Sequence, residues 1–391
     1  MTKTRYLHNT ITSDLKDKMV FIGGPRQVGK TTLAKYIGDN DYKHPVYLNW
    51  DNRADRKIIL GQKYPADADL IIFDEIHKYR QWKNFVKGEY DKNKSRFHII
   101  VTGSARLDLY RRGGDSLLGR YHYYRLHPFS LRELTTTEPK IGLKELSFLP
   151  ADENTRKIFS DLFGFGGFPE PLFKKNARFL RRFHLSRVER IVKEDIRDVE
   201  NVRDLSALEI LADILPEKVG SLLSINALKE NLQVNFRTAA LWMDILERFY
   251  YHFRIYPFAA NSIKSLRKEP KMYLWDWSQI EGEAERLENM VASHLLKFTH
   301  YLRDHLGWKA ELNFIRDREQ REVDFLASIN KKPWFAVEVK LKDENISKSL
   351  KYFKDRIKIP FSYQVIKEND VDFFKDGIRV MSVDKFLSGL V

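Results

Sequence analysis

Met19-Val20-Phe21-Ile22-Gly23-Gly24-Pro25-Arg26-Gln27-Val28-Gly29-Lys30-Thr31-Thr32-Leu33 decides how the first third of this chain folds. The run from Met19 to Ile22 is continuously apolar and short, which reads as a buried strand. It ends in glycines and is followed from Lys30 by a helical pattern. Residues 24–31 fit G-x-x-x-x-G-K-[ST] at every fixed position. Glycines let backbone N–H groups wrap phosphates with no Cβ in the way, and the helix starting at Lys30 directs the positive end of its dipole at them. Lys30 is expected at the β- and γ-phosphates of ATP, and Thr31 on Mg²⁺. The expected nucleotide-binding residues are therefore Gly24, Pro25, Arg26, Gln27, Val28, Gly29, Lys30, Thr31 and Thr32.

Four further apolar runs follow: Pro45 to Leu48, Leu70 to Phe73, Phe97 to Val101, and Tyr121 to Leu126. Short apolar strands alternating with helices predict a parallel sheet covered on both faces. The third strand of the series runs into Asp74-Glu75. Asp74 there is expected to hold Mg²⁺ through water, with Glu75 polarising the attacking water. The next strand ends in Thr102-Gly103-Ser104, and Ser104 is assigned a sensor role toward the γ-phosphate or the water; the alternative is a capped strand end. Arg106, Arg111, Arg112, Arg120 and Arg125 are arginine-finger candidates, with Arg120 preferred and supplied by a neighbouring subunit. The alternative is a solvated basic face.

After Pro128 the pattern changes. Residues 140–205 read as charged helices, broken by Phe163-Gly164-Phe165-Gly166-Gly167-Phe168-Pro169. Residues 206–260 read as three helices (Leu208–Leu215, Asn226–Leu232 and Phe236–Phe249) and an aromatic strand run to Phe258, the pattern of a winged helix. Its last helix opens with Asn235 and carries Arg237 and Thr238 in the first turn, where a recognition helix presents base-reading groups. Leu241, Ile245, Leu246 and Phe249 equally mark a helix packed into a core. The basic run from Lys174 to Arg190 is interspersed with and followed by acids, and reads as a solvated helix. Residues 261–391 read as α/β again, with strands near Leu312–Arg316, Glu322–Ile329 and Pro333–Leu341. The expected division is 1–134, an ATPase domain; 135–205, a helical linker; 206–260, winged-helix-like; and 261–391, a separate α/β domain.

In that last segment Glu338 and Lys340 lie two apart on one strand and share a face. Asp324 lies on the preceding strand, and a tight turn at Asn330-Lys331-Lys332 brings it beside Glu338. Two carboxylates and a lysine converging there are suited to binding Mg²⁺ and activating water for phosphodiester cleavage. A cross-strand ion-pair cluster is the competing reading.

Taken together, Gly23 to Leu33, Phe73-Asp74-Glu75-Ile76, Val101 to Ser104, Leu118-Gly119-Arg120, His127-Pro128-Phe129-Ser130, Gly166-Gly167-Phe168-Pro169-Glu170 and Pro270-Lys271-Met272-Tyr273 make the chain resemble a large prokaryotic family. These are AAA+-superfamily ATPases carrying a C-terminal domain of restriction-endonuclease-like, PD-(D/E)XK fold. The resemblance implies an ATP-binding protein of a bacterial or archaeal cytosol. It adds Glu288, on the helix around Glu285 to Phe298, as the acidic residue that such a fold supplies from its first helix. Asp324, Glu338 and Lys340 then match its D…E-x-K core.

Composition sets the outer bounds. The 391 residues carry a net charge of +14 and no cysteine, which excludes disulfides and thiolate chemistry. Residues 1–134 hold 25 basic and 15 acidic side chains, whereas 281–391 hold 20 and 19. The basic excess favours a polyanion partner such as DNA; a generally basic soluble protein is the alternative. No signal peptide or long apolar stretch is apparent, so a cytoplasmic protein without a membrane partner is expected. A homo-oligomer is expected if the finger acts in trans.

Overall fold

In a computed structural model, the chain is described over residues 3–103, 117–136, 142, 144–196, 204–259, 268–342 and 345–391. It falls into two compact units, Met1–His127 and Pro128–Val391.

The first unit is a five-stranded parallel sheet in the order β2-β3-β4-β1-β5. The strands are β1 (Met19–Gly23), β2 (Pro45–Asn49), β3 (Leu70–Asp74), β4 (His98–Thr102) and β5 (Tyr121–Arg125). β1 and β3 are buried along their whole length, as continuous apolar runs require when helices cover both faces. One face packs Phe21, Ile71, Phe73 and Val101 against Trp82 and Val86 of the Trp82–Asn93 helix. Each such aromatic or aliphatic side chain contributes roughly 1.5–3 kcal/mol by leaving water. The Lys30–Asp41 helix buries Leu33, Ala34 and Ile37. It comes so close that a Cβ on Gly38 would lie 3.1 Å from the Pro45 side chain.

The order places β4 between the strand that leads into the glycine loop and the strand that ends in Asp74. Register aligns Ile22 with Thr102 and Thr102 with Asp74. The carboxyl ends of β1, β3 and β4 therefore meet in one crevice, where open α/β sheets bind their ligands.

The second unit is built on an eight-stranded mixed sheet in the order β12-β13-β11-β10-β9-β8-β6-β7. Its strands are β6 (His252–Pro257), β7 (Lys271–Leu274), β8 (Ala310–Arg316), β9 (Glu322–Ile329), β10 (Lys332–Lys340), β11 (Phe361–Ile366), β12 (Asp372–Lys375) and β13 (Ile378–Ser382). Asn330 and Lys331 both have positive φ, 51° and 63°, and make the expected tight turn between β9 and β10. The long Glu283–Asp304 helix buries Leu287, Met290, Val291, Leu295 and Phe298, a helical apolar stripe. Phe298 stacks on Trp334 at 5.7 Å. The Lys348–Arg356 helix packs Leu350 and Phe353 with Val323, Leu326 and Ala336.

The expected divisions at 134, 205 and 260 do not coincide with the observed split at 127/128. His127-Pro128-Phe129-Ser130 shows why. The Phe129 N–H donates to the Gly167 carbonyl at 2.7 Å, and buried Lys297 reaches Ser130 at 2.8 Å and Glu133 at 2.5 Å. The turn is thereby fastened to the second unit. At the other boundary, the strand run after the third helix does not close a separate module. β6 pairs antiparallel with β7, and its Tyr256 and Pro257 pair parallel with Asn313 and Phe314 of β8. Hydrogen bonding is continuous into the large sheet. The three helices themselves are present as Leu205–Ile214, Ile225–Leu232 and Phe236–Arg248, each capped by the side chain before it: Asp204, Ser224 and Asn235. Among the described residues no helix is long and apolar enough to cross a membrane.

Candidate nucleotide site and the C-terminal carboxylate centre

The glycine loop leaves β1 at Gly23. Gly24, Gln27 and Gly29 all have positive φ, 134°, 61° and 97°. Such turns point successive N–H groups into one concavity, an anion-binding nest. Gly24 has no alternative, since a Cβ there would lie 2.4 Å from the Leu126 carbonyl oxygen. Lys30 opens the helix and is buried. Its ammonium donates to the carbonyls of Gly24 at 3.0 Å and Pro25 at 2.6 Å, so it spans the loop it is expected to serve. Buried Arg5 braces the loop from behind, donating to the Val28 carbonyl at 2.8 Å and the His127 carbonyl at 2.6 Å.

Across the crevice, Asp74 is 6% exposed and is held by three hydroxyls. Thr31 Oγ1 donates to Oδ2 at 2.9 Å, Tyr47 Oη to the same oxygen at 2.8 Å, and Thr102 Oγ1 to Oδ1. Hydroxyl donors hold the carboxylate in place without adding a charge of their own. A hydroxyl and a carboxylate in contact are the oxygen ligands that Mg²⁺ takes beside phosphate and water. Thr31 and Asp74 therefore fit that ion. Glu75 leaves the strand with φ 56°, and its N–H donates to the Thr102 carbonyl at 3.1 Å. Its carboxylate lies 3.4 Å from His77 Nε2 and 3.5 Å from Lys78 Nζ. Burial raises its pKa above the ordinary glutamate value; Lys78 opposes this and Asp74 reinforces it. An elevated carboxylate beside a phosphate crevice is suited to taking a proton from water.

Other expected residues lie elsewhere. Ser104, Arg106, Arg111 and Arg112 fall outside the described residues. Arg120 precedes β5 at the edge of the sheet opposite the glycine loop, where its carbonyl accepts from Met19 N at 3.2 Å. Its guanidinium grips Asp91 through Nε at 2.7 Å and Nη2 at 3.1 Å. It is not brought to the crevice of its own chain. Arg125 is at the right edge, paired in register with Gly23. Tyr47 and Arg5 were not singled out by motif. Tyr47 sits in an apolar run as a strand residue, and nothing local marks its hydroxyl as a ligand of Asp74.

In the second unit the four charged residues gather around β9 and β10. The Val339 N–H donates to Asp324 Oδ2 at 2.9 Å, which sets Asp324 beside the Glu338–Lys340 strand. Lys340 Nζ lies 2.9 Å from Glu338 Oε1, which also accepts from Ser347 Oγ at 3.2 Å. Burial and the neighbouring Asp324 push Glu338 up to about 7. Glu288 is likewise pushed to about 7 by burial and by Asp324, and it accepts from Tyr273 Oη at 2.7 Å.

The expected metal ligands, however, are not assembled as a set. Lys271, 4% exposed at its side chain, sends its ammonium into the carboxylates. It lies 2.6 Å from Glu322, 3.4 Å from Glu288 and 3.6 Å from Asp324. Among the described residues no group of three or more His, Asp or Glu is arranged to hold a metal ion. Glu338 Oε1 serves Lys340 and Ser347, Glu288 serves Lys271 and Tyr273, and Asp324 serves Lys271 and the Val339 N–H, while buried Glu338 Oε2 has no hydrogen-bond partner. With the Lys271 ammonium among them, the three do not fit a divalent ion in this arrangement.

Glycine loop, inserted β4 and the Asp74-Glu75 strand end together define a P-loop ATP-binding domain. Residues 16–135 match the family model described as an AAA domain, so this segment is an AAA domain, which implies nucleotide binding. Residues 156–280 and 285–386 match two models described as domains of unknown function, DUF8612 and DUF4143. An uncharacterized protein of Methanocaldococcus jannaschii is 24% identical over 66% of this chain and 60% of its own length. One from Mycobacterium tuberculosis is 23% identical over 66% of this chain and 54% of its own. The chain thus spans little more than half the length of the curated relatives it matches. The solved structure of the Thermotoga maritima RuvB Holliday junction branch migration motor aligns with 67% of this chain and 93% of its own, at 18% identity and a TM-score of 0.32. A likeness of that size carries no statement about activity.

Proposed function

We propose that this protein is a Mg-ATP-hydrolysing switch whose second unit is a restriction-endonuclease-like scaffold rather than a working nuclease. The observation that carries the first half is the 2.9 Å hydrogen bond between Thr31 and Asp74, with Lys30 reaching across the loop beside it. Mg²⁺ supplies charge neutralisation to the phosphates when bound. Lys30 and the loop N–H groups orient the γ-phosphate. Thr31 and Asp74 hold the ion's oxygen shell, and Glu75 accepts a proton from the attacking water. Arg120 acts, if at all, on a neighbouring copy, which makes the active form a homo-oligomer. A cytoplasmic location goes with this reading. The test is ATP turnover by purified protein with Mg²⁺, against the Lys30→Ala variant. Equal phosphate release by the two would reject it.

DNA is the proposed partner, on the +10 balance of residues 1–134. The winged-helix reading of 206–260 is supported by the three capped helices and by the antiparallel pairing of β6 with β7, which also bridges back to Leu222 through Lys271. DNA-stimulated ATP turnover that falls as salt rises would support the partner. A second reading, a nuclease centred on Asp324, Glu338 and Lys340, is favoured by the cross-strand contact of Asp324 with Val339. The pairing of those carboxylates with resident cations speaks for the scaffold.

A further inference from the structure

Pro270-Lys271-Met272-Tyr273 is a motif to which the nucleotide site gives no role. Its last three residues begin β7, at the edge of the large sheet. Both of its polar side chains enter the carboxylate centre. Tyr273 Oη donates to Glu288, and Lys271 Nζ lies within 3.6 Å of oxygens from Glu288, Glu322 and Asp324. These three carboxylates come from two different elements, the Glu283–Asp304 helix and β9. One ammonium shared by three carboxylates from two elements has the connectivity of a bound cation.

The charges around it are close to balanced. Glu322 is also paired with Arg316 at 2.7 Å, and Glu338 with Lys340 at 2.9 Å. Four carboxylates thus face three fixed cations. A divalent ion entering beside Lys271 would meet an ammonium within a few ångströms, where like charges repel strongly in a partly dry site. It would also need room for its water, since Mg²⁺ gives up hydration reluctantly. The backbone closes on the centre instead. Gly220, at φ +72°, comes so near that a Cβ there would lie 3.2 Å from Glu288 Oε1.

We infer that Lys271 is the built-in cation of the C-terminal carboxylate centre, and that it closes this centre to divalent metal. Lys271 links the edge strand β7 to the long helix and to β9, so the lysine does structurally what a metal would do. This goes beyond the ATP-switch reading, and its test uses no nucleotide, so failure here leaves ATP hydrolysis untouched.

The test is Mn²⁺ binding to the nucleotide-free full chain, followed by electron paramagnetic resonance and calorimetry. Wild type and Asp324→Asn are expected to bind the same amount of Mn²⁺. Lys271→Met is expected to melt lower, to bind one further Mn²⁺ per chain, and to regain melting temperature with it. That extra ion should vanish in the Lys271→Met, Asp324→Asn double variant. A wild-type Mn²⁺ that Asp324→Asn removes would overturn the inference. So would a folded Lys271→Met protein that gains no ion. If Lys271→Met does not fold, Lys271→Gln replaces it, and the comparison of wild type with Asp324→Asn still decides whether the centre is closed.

Discussion

Replacing Glu75 by glutamine should slow ATP turnover and at the same time stabilise the protein at neutral pH. The amide is isosteric but cannot accept a proton from water. General-base contributions of 10²–10⁴ translate into a barrier increase of about 3–5 kcal/mol. Nucleotide affinity should stay within a few-fold, because Lys30, Thr31 and Asp74 keep their contacts with each other and with the loop. The stability effect follows from burial. Glu75 titrates above its ordinary value in the folded protein, so the folded state holds this proton more tightly than the unfolded chain. Below the unfolded pKa both states are protonated and the group is neutral to stability. As pH rises through the folded value, the buried carboxylate is destabilising. Glutamine removes that penalty, so its gain in melting temperature should be present at pH 7–8 and absent near pH 4. If Glu75 is the base, turnover should also rise with pH as its carboxyl ionises, and the variant should lack that limb. Calorimetric affinity, phosphate release and melting across pH are the three measurements. Unchanged turnover, or a stability difference that does not vary with pH, would refute the assignment.

Lys30→Ala removes the ammonium that bridges the Gly24 and Pro25 carbonyls of the loop. Two charge-assisted contacts are worth roughly 3–6 kcal/mol, so Mg-ATP affinity should fall about 10²–10⁴-fold by calorimetry. Tyr47→Phe deletes a 2.8 Å hydrogen bond to Asp74 while leaving Thr31 and Thr102 in place. It should lower unfolding free energy by about 1.5 kcal/mol in denaturant titration and weaken Mg²⁺ dependence without abolishing ATP binding. Arg120→Ala should leave the rate per chain of dilute protein unchanged and remove any rise of that rate with concentration. A rise that persists in the variant passes the finger to another arginine, with Arg125 at the phosphate edge the first to test.

Much of the first unit was legible before any coordinates. The five apolar runs became β1 to β5 with ends shifted by a residue or two. β1, β3 and β4 are covered on both faces and have almost no polar positions to blur the pattern, while the partly exposed edge strands β2 and β5 were legible from their aliphatic and aromatic residues. The turn at Asn330-Lys331 was legible for a similar local reason: two residues able to take positive φ sit between two apolar strands. What could not be read is what strand order decides. Arg120 and Arg125 lie at opposite ends of β5, as five extended residues require, and only the pairing of β5 with β1 shows that Arg125 is the one at the glycine-loop end. The hydroxyl of Tyr47 meets Asp74 only because β2 pairs with β3. Glu288, Asp324, Glu338 and Lys340 do gather, but Lys271 arrives among them from a strand whose own sequence gives no hint of its destination. β12 was not foreseen either, since Asp372-Phe373-Phe374-Lys375 mixes charges with apolar residues at the exposed edge of the sheet, and β11 and β13 were not foreseen although both are largely buried.

Arg5 couples parts of the first unit that sequence keeps far apart. One guanidinium holds the peptide of Val28 in the glycine loop and the peptide of His127, the residue from which the chain leaves the unit. Leu126 N donates to the Gly23 carbonyl at 2.9 Å just beside it. The loop that closes on phosphate and the strap by which the chain departs are therefore riveted together at two points. A change in the loop's backbone would have to move Leu126 and His127 with it or break one of these hydrogen bonds.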